Sequence, residues 1–344
     1  MGIVIYGPGV HIPPDVITNA NIKKLVETSD EWIRKRTGMK ERRISLDKDV
    51  REMGALAAKG LLDKIDCNPG DIDEVIFAMN MHHENITFPA HAGYVAAAIG
   101  ANKDAIIHDK FAGCTGLVYA IREAYNNILS GDVDRVLVIG AERLTDMTDY
   151  SDRSTCILFG DGAGAYLVKR SEQEGIIKNV LGGEPDTGGE NWSDGYLTLQ
   201  YKEGVKIVSK ENGAFQTERK KQNYLVMHGR KVFAFATKVM KRAVCDVIKD
   251  TPYSLDDIDV LLPHGANMRI IKFAKKTLEK EGFKGIVFTN LEWYGNTSTA
   301  STPIAAAEAI EKGIIKEGSL VVNVAFGAGF TYGANLYRAR VNNS

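Results

Sequence analysis

Cys114 is the residue whose setting best suits covalent chemistry. It lies in FAGCTG, after the apolar run AIIH and before an amphipathic helix that we expect to begin near Thr115. A thiol at the start of a helix is close to the positive end of the helix dipole, where backbone N–H groups favour the thiolate. We therefore predict that Cys114 is a nucleophile. A structural role, the usual one for a free cysteine, is expected for Cys67, Cys156 and Cys245.

His264 and Asn296 are residues that could assist such a nucleophile. His264 ends the apolar run in LLPHGANMRII, and ligands of α/β folds bind at the carboxyl ends of strands. Asn296 lies in YGNTSTASTP ahead of an Ala-rich helix, where a helix N-cap is the alternative interpretation. A thiolate can attack a thioester while backbone N–H groups hold the oxyanion, and an imidazole and a carboxamide can then stabilise the enolate of a second thioester. This chemistry needs neither a metal nor an organic cofactor.

The elements that must position these residues occur twice along the chain. Residues 51–80 and residues 232–267 both give an amphipathic helix, a turn and a buried strand, and each is followed by strand, turn, helix and strand. Ordinary alternation of helices and strands is the plainer explanation, but the order of elements agrees over a long stretch. If the halves are duplicates, Cys114 and Asn296 occupy equivalent turns beside a pseudo-twofold axis.

The predicted organisation is therefore an N-terminal half, residues 1–175, and a C-terminal half, residues 176–344. The segment 182–222 is polar, Gly-rich and weakly periodic, and we expect an insertion that contains a hairpin and caps the surface.

Composition narrows the class of protein. The net charge of −1 over 344 residues argues against nucleic acid as the main partner. The four cysteines are scattered without a CxxC pair, which favours a reducing compartment over a disulfide scaffold or a zinc site. The chain starts MGIVIYGPGV, which lacks a signal-peptide pattern, and it contains no apolar run of about 18 residues. We expect a cytoplasmic enzyme without a membrane span.

Five motifs resemble those of the β-ketoacyl-acyl-carrier-protein (ACP) synthase III family. They are TSDEWIRKRTGMKERRI, FAGCTG, PHGANMRII, YGNTSTASTP and AFGAGFTYG, in that order from Thr28 to Gly333. The resemblance implies an α/β, thiolase-like, five-layered α-β-α-β-α fold and a homodimer. It also implies a ping-pong Claisen condensation, in which acyl-CoA acylates Cys114 and malonyl-ACP is then decarboxylated and attacks. The product would be a 3-oxoacyl-ACP, formed without a cofactor.

The resemblance also assigns further residues. The backbone N–H groups of Cys114 and Ala328 would form the oxyanion hole. Binding of CoA would involve Trp32, Arg153 and Asn267, although Trp32 has helical spacing that also suits a core residue. Three cations on or near one helix would dock acidic ACP, unless they are simply solvated charges: Arg269, Lys275 and Lys276. The acyl pocket would be lined by three aromatic residues: Phe88, reaching across the dimer, Phe159 and Phe233.

Two departures from the family pattern bear on specificity. Gly265 stands where the family often has Gln, and Ala328 replaces the middle glycine of FGGGF, which suggests a changed backbone angle or pocket floor. His82 and His83 lie near the expected dimer-crossing wall, either in a polar surface turn or as a polar part of the acyl pocket. With the 182–222 insertion, these features suggest a homologue specialised for an unusual starter acyl group.

Other functions use the same residue types. A Cys–His–Asn thioester hydrolase is one, although the CGSCW-like signature of the papain group is absent. An HMG-CoA synthase would require a catalytic glutamate, for which Glu84 is the nearest candidate. A thiolase-fold binding protein would have lost the chemistry, and other acyltransferases of this fold form an ester or amide with a different acceptor.

Overall fold

The computed structural model describes residues 2–80, 89–185 and 195–341. Its strands are β1 (Gly2–His11), β2 (Asp15–Thr18), β3 (Glu41–Ile44), β4 (Glu74–Ala78), β5 (Ile106–Lys110), β6 (Arg135–Arg143), β7 (Asp161–Ser171), β8 (Ile176–Gly183), β9 (Leu197–Glu211), β10 (Ala214–Met227), β11 (Val260–Pro263), β12 (Ile286–Val287), β13 (Leu320–Phe326) and β14 (Thr331–Arg338). Its α-helices are α1 (Asn19–Lys23), α2 (Asp30–Thr37), α3 (Val50–Lys64), α4 (His91–Ile99), α5 (Gly116–Ser130), α6 (Gly229–Ile248), α7 (Met268–Glu279), α8 (Leu291–Tyr294) and α9 (Ser301–Glu311). No helix in these described ranges is long and apolar enough to cross a membrane.

Two five-stranded sheets repeat one topology. The first has the order β1-β7-β6-β4-β5, and the second has the order β8-β14-β13-β11-β12. In the first sheet β4 runs parallel to β5 and β6, and in the second β11 runs parallel to β12 and β13. The remaining pairs of both sheets are antiparallel. The predicted internal duplication is confirmed.

The helices complete five layers. Helices α3 and α4 pack on the outer face of the first sheet, and α6 and α7 pack on the outer face of the second. Helices α5 and α9 lie between the sheets in one apolar core that contains side chains from both halves. Helix α5 can lie there because Leu117, Ile121, Ala124 and Ile128 recur at helical spacing and are all buried. Burial on both sides of α9 suits its small side chains, such as Ala305 and Ala309.

A long hairpin follows the second sheet's first strand. Strands β9 and β10 pair over their whole length, and the turn between them places Asn212 and Gly213 in left-handed conformations, as a tight hairpin turn requires. The expected hairpin is therefore present, although its second strand runs beyond residue 222 to Met227. Backbone hydrogen bonding between Tyr150 N–H and the Val205 carbonyl, at 2.8 Å, fixes the hairpin to the first half.

Candidate active site

Cys114 lies between β5 and α5, against the loop that carries Ala328. Helix α5 has Thr115 as its N-cap, which confirms the predicted helix start. The two loops are so close that a Cβ on Gly113 would lie 2.7 Å from the Ala328 nitrogen, and a Cβ on Gly327 would lie 2.4 Å from the Cys114 nitrogen. The backbone N–H groups of Cys114 and Ala328 both hydrogen-bond the sulfur. Glycine at both positions is what brings these two donors together.

The protonation state of Cys114 differs from the sequence-based expectation. Burial raises the pKa of the thiol to about 12, and the charge of Glu142 also raises it. Hydrogen bonds from Ser298 and from the two backbone N–H groups lower the pKa by less. The prediction that the helix start favours a thiolate is wrong, because desolvation of the buried thiol outweighs the helix dipole. Reaction at Cys114 therefore requires an acceptor for the thiol proton.

The backbone conformation of Ala328 does not require glycine. The left-handed residues in its loop are Gly329 and Phe330, with φ of 71° and 53°, whereas Ala328 itself is not left-handed. Any L-residue can adopt such a conformation, so the backbone N–H of Ala328 is available without a glycine.

His264 follows β11 and is held in a neutral state. Burial lowers the pKa of its imidazole to about 3. Its Nδ1 lies 2.8 Å from the Ser301 Oγ, which in turn lies 2.7 Å from the Ser298 carbonyl oxygen. The edge of its ring meets the Phe326 ring at a centroid separation of 5.4 Å. A serine hydroxyl carries one proton, and Ser301 donates it to the Ser298 carbonyl, so in the structure the Ser301 Oγ accepts from Nδ1. The ring proton moves to Nε2 only if the Ser301 hydroxyl turns to donate to Nδ1.

Asn296 is fixed by hydrogen bonds on both sides of its backbone. Its N–H donates to the Leu158 carbonyl at 2.8 Å, and its carbonyl accepts from Gly160 N–H at 3.0 Å. Its side-chain Oδ1 accepts from Ser298 N–H at 2.9 Å, which leaves the NH2 group for the cavity. The alternative assignment of Asn296 as a helix N-cap is wrong, because α9 begins later and is preceded by Ala300.

These three residues line one cavity of about 550 Å³. Its inner wall is apolar and includes Leu197 and Met227 of the hairpin together with four aromatic rings: Phe233, Phe235, Phe326 and Phe330. Of the other predicted residues, the cavity is also lined by Trp32, Phe159, Asn267, Ala328 and Arg269. An apolar wall beside a thiol is suited to an acyl chain.

The residues expected to bind CoA lie together at one end of the cavity. The Arg153 guanidinium lies 5.0 Å from the centroid of the Trp32 ring, and Arg36 lies 5.5 Å from it. Asn267 caps α7 by accepting from Arg269 N–H at 2.9 Å, and its Nδ2 donates to the Arg36 carbonyl at 3.2 Å. An adenine that stacks between Trp32 and Arg153 must therefore displace the guanidinium.

The three cations expected to dock ACP differ in their surroundings. Arg269 lines the cavity and lies 5.3 Å from the centroid of the Phe233 ring. Lys275 forms an exposed ion pair with Glu279 at 3.7 Å, whereas Lys276 is exposed in the last turn of α7. Exposed pairs of this kind contribute little to stability, so Lys275 remains available to a partner. Four residues considered above lie outside the described part of the chain: His82, His83, Glu84 and Phe88.

Sequence reasoning missed a group of polar residues behind the cavity. Ser298 and Ser301 were visible only as part of the NTSTAS run, where serine is expected for helix capping. Asn80 and Glu142 each stand at or just beyond the carboxyl end of a buried strand, which is the same signal that selected His264. A search for polar residues at the carboxyl end of every buried strand would have found both Asn80 and Glu142.

The duplicated five-layered architecture and the Cys–His–Asn cavity define an enzyme of the thiolase fold. The chain belongs to the β-ketoacyl-ACP synthase III family. The family model for 3-oxoacyl-[ACP] synthase III matches residues 108–185, and its C-terminal counterpart matches residues 248–339.

Relatives match along nearly the whole chain. The chain is 40% identical over 332 residues to the β-ketoacyl-ACP synthase III of Clostridium acetobutylicum, covering 96% of this chain and 97% of the relative. The crystal structure of the enzyme from Aquifex aeolicus superposes with a TM-score of 0.83 at 37% identity, covering 98% and 100% of the two chains. A priming β-ketosynthase from the R1128 polyketide biosynthetic pathway gives a TM-score of 0.85 at 28% identity, covering 99% and 97%.

Proposed function

We propose that this protein condenses an acyl group, carried on Cys114, with malonyl-ACP and releases a 3-oxoacyl-ACP. One observation carries the proposal: Cys114, His264 and Asn296, which come from both halves of the chain, line the same cavity. The family relatives named for this synthase activity support the same reaction. The reaction uses acyl-CoA and malonyl-ACP as substrates and needs neither a metal nor an organic cofactor, because side chains and backbone donors suffice for each step.

In the first half-reaction the Cys114 sulfur attacks the carbonyl carbon of acyl-CoA. The backbone N–H groups of Cys114 and Ala328 donate to the oxyanion, which is supported by their present hydrogen bonds to the sulfur. The bond between the carbonyl carbon and the CoA sulfur then breaks, and CoA leaves as its thiol. The acyl chain lies along the apolar wall that includes Phe159 and Phe233.

In the second half-reaction His264 and Asn296 stabilise the enolate that forms when malonyl-ACP loses CO2. The Asn296 NH2 group donates because its Oδ1 is already occupied. His264 donates from Nε2 once the Ser301 hydroxyl, which in the structure donates to the Ser298 carbonyl, turns to donate to Nδ1 at 2.8 Å. A neutral ring suits this role, since burial keeps the pKa of His264 far below neutral pH. The enolate carbon then attacks the acyl group on Cys114.

The substrates reach the cavity from the end that carries Trp32, Arg153 and Asn267. We propose that these residues bind the CoA nucleotide and pantetheine, supported by the contact of the exposed Arg153 with Trp32, which lines the cavity. Arg269 and Lys276 provide positive charge near the same opening for acidic ACP, and Lys275 joins them once it releases Glu279.

The proposed assembly is a homodimer in the cytoplasm. Among the described strands, β5 is at the edge of the first sheet, and its Ile106 and Ile107 side chains are 49% and 45% exposed. An exposed apolar edge strand of this kind is a template for pairing with another chain. Four free cysteines are consistent with a reducing compartment. The division of the chain after residue 175 is likewise a proposal, supported by β7 ending at Ser171 and β8 beginning at Ile176.

Intact-mass spectrometry tests the proposed function directly. The protein is incubated with a panel of acyl-CoAs of different length and branching, and malonyl-ACP is then added. We expect a mass increase equal to one acyl group, followed by its loss as 3-oxoacyl-ACP forms. An acyl adduct that water removes, with no condensation product, would indicate a hydrolase instead.

A further inference from the structure

Glu142 is a buried carboxyl group directly behind the nucleophile, and the proposed condensation gives it no role. It lies near the end of β6 and is completely buried. Its Oε1 accepts from Asn80 Nδ2 at 2.7 Å and from the Thr299 hydroxyl at 2.9 Å, while its Oε2 accepts from Asn80 N–H at 3.2 Å. Burying a carboxyl group among neutral donors costs folding free energy, so a purely structural role does not explain a glutamate at this position.

Ser298 connects this carboxyl group to Cys114. Its hydroxyl interacts with both the Cys114 thiol and the Glu142 carboxyl. Asn80 Nδ2 donates to the Ser298 Oγ at 2.6 Å, which leaves the serine's own proton for the sulfur or the carboxylate. Ser298 holds a left-handed conformation with φ of 48°, an unfavourable one for a residue with a Cβ. The fold therefore maintains a strained residue at the point where it joins the two groups.

The electrostatics of the pair favour transfer of one proton between them. Burial raises the pKa of the Glu142 carboxyl to about 7, and its hydrogen bonds lower it by less. Among the residues that the structure describes, its hydrogen-bonding partners are the neutral groups of Asn80, Ser298 and Thr299, and its charge acts on the Cys114 thiol. The neighbouring Arg143 forms its ion pair with Asp146 instead. Protonation of Glu142 removes a charge that opposes the thiolate.

We propose that Glu142, through the hydroxyl of Ser298, accepts the thiol proton of Cys114 when acyl-CoA acylates it. The thiol proton passes to the Ser298 oxygen as the serine proton passes to the carboxylate, and the sulfur attacks the acyl carbon. The carbon–sulfur bond to CoA breaks, and the departing CoA sulfur takes a proton back, so that free CoA thiol and a carboxylate remain. Bound acyl-CoA fills the cavity and separates the thiol from bulk water, which makes an internal acceptor necessary. The inference rests on the proposed function, because it concerns that reaction's first step.

Single-turnover acylation at saturating acyl-CoA, followed by mass spectrometry from pH 5.5 to 9, tests the proposal. The wild-type rate should rise through about pH 7 and then level off, as the pKa of Glu142 requires. In Glu142→Gln the rate at pH 7.5 should fall by about 10²-fold, a usual cost of losing a positioned base. The levelling near pH 7 should disappear as well. Ser298→Gly should show the same fall in acylation rate, because it removes the hydroxyl. It does so without straining the backbone, because glycine accepts a positive φ.

Alkylation of Cys114 by iodoacetamide separates this role from a structural one. Without the Glu142 charge the thiol ionises more easily, so Glu142→Gln should be alkylated at least as fast as the wild type. Slower acylation together with undiminished alkylation supports the relay. The relay would be refuted if Glu142→Gln kept an acylation rate within threefold of the wild type and a pH profile that still levels off near pH 7. It would also be refuted if the levelling near pH 7 were lost in His264→Ala and not in Glu142→Gln. If the wild type is not acylated by any acyl-CoA, the proposed function fails and the inference fails with it.

Discussion

Replacement of Ser301 by alanine should separate the two half-reactions. The Ser301 hydroxyl is the group within 2.8 Å of His264 Nδ1, and it also lies 2.7 Å from the Ser298 carbonyl oxygen. Without it, the imidazole can satisfy Nδ1 by donating directly to the Ser298 carbonyl, with which the ring already interacts. The neutral ring would then carry its proton at Nδ1 and present a bare Nε2 to the cavity. This tautomer cannot donate to the enolate.

The expected loss follows from one hydrogen bond in a buried site. A buried group left without its partner costs about 1–3 kcal/mol. At 1.4 kcal/mol for each factor of ten, the condensation rate should fall by about 10-fold to 10²-fold. Acylation of Cys114 should change by less than about threefold, because the enolate does not form in that step. Ser301→Thr keeps the hydroxyl and should restore most of the condensation rate.

The assay follows both steps on one sample. Acylation is measured by intact mass after rapid mixing with acyl-CoA, and condensation is measured by consumption of the acyl adduct after addition of malonyl-ACP. Equal losses in both steps for Ser301→Ala would refute the reasoning, since they would indicate general disruption of the site. An unchanged condensation rate would also refute it, because the tautomer would then be set by another group.

Three further predictions concern the same cavity. His264→Ala and Asn296→Ala should retain substantial acylation of Cys114, but their rate of malonyl-ACP decarboxylation, measured as CO2 release, should fall by about 10²-fold or more. An acylation rate that falls as much as the decarboxylation rate would contradict the division of roles. Trp32→Ala should raise KM for acyl-CoA by about 10-fold, the loss of one stacked base, but leave KM unchanged for an acyl thioester without the nucleotide. As the pH is raised from 4 to 8, the unfolding free energy of Glu142→Gln should increase by about 3 kcal/mol relative to that of the wild type, measured by chemical denaturation at each pH. The sign follows because burial raises the pKa of Glu142 in the folded state to about 7, so the wild type loses stability as Glu142 ionises with rising pH. A difference between the two proteins that does not change with pH would contradict this prediction.

The repeated order of elements was enough to predict the fold. Helix and strand periodicity located the two halves, and the equivalent turns before α5 and before α9 do carry Cys114 and Asn296. Hydrophobic periodicity indicates which face of a helix or strand is buried. Because the two sheets have the same topology, corresponding helices and strands of the two halves bury corresponding faces. The hairpin was expected in outline, but its length depends on contacts with the first half that no local pattern encodes.

The chemistry of the site was less accessible from sequence. Cys114 was expected as a thiolate because the start of a helix is a local feature, whereas its burial depends on the loop around Ala328, which is more than 200 residues away in sequence. Ser298 acts on the thiol only because the two halves meet at this point. Long-range desolvation and hydrogen bonding of this kind decide pKa values, and neither has a signature in the sequence of one strand or helix.

Mass mapping of the acylated residue tests the central claim most directly. The protein and its Cys114→Ala variant are incubated with acyl-CoA, and the adduct is located by peptide mass spectrometry. We expect one acyl group on Cys114 of the wild type and none on the variant, while Cys67→Ala, Cys156→Ala and Cys245→Ala should keep the adduct. Those three residues are matched controls, since each is also a free cysteine. Persistent acylation of Cys114→Ala would contradict the account.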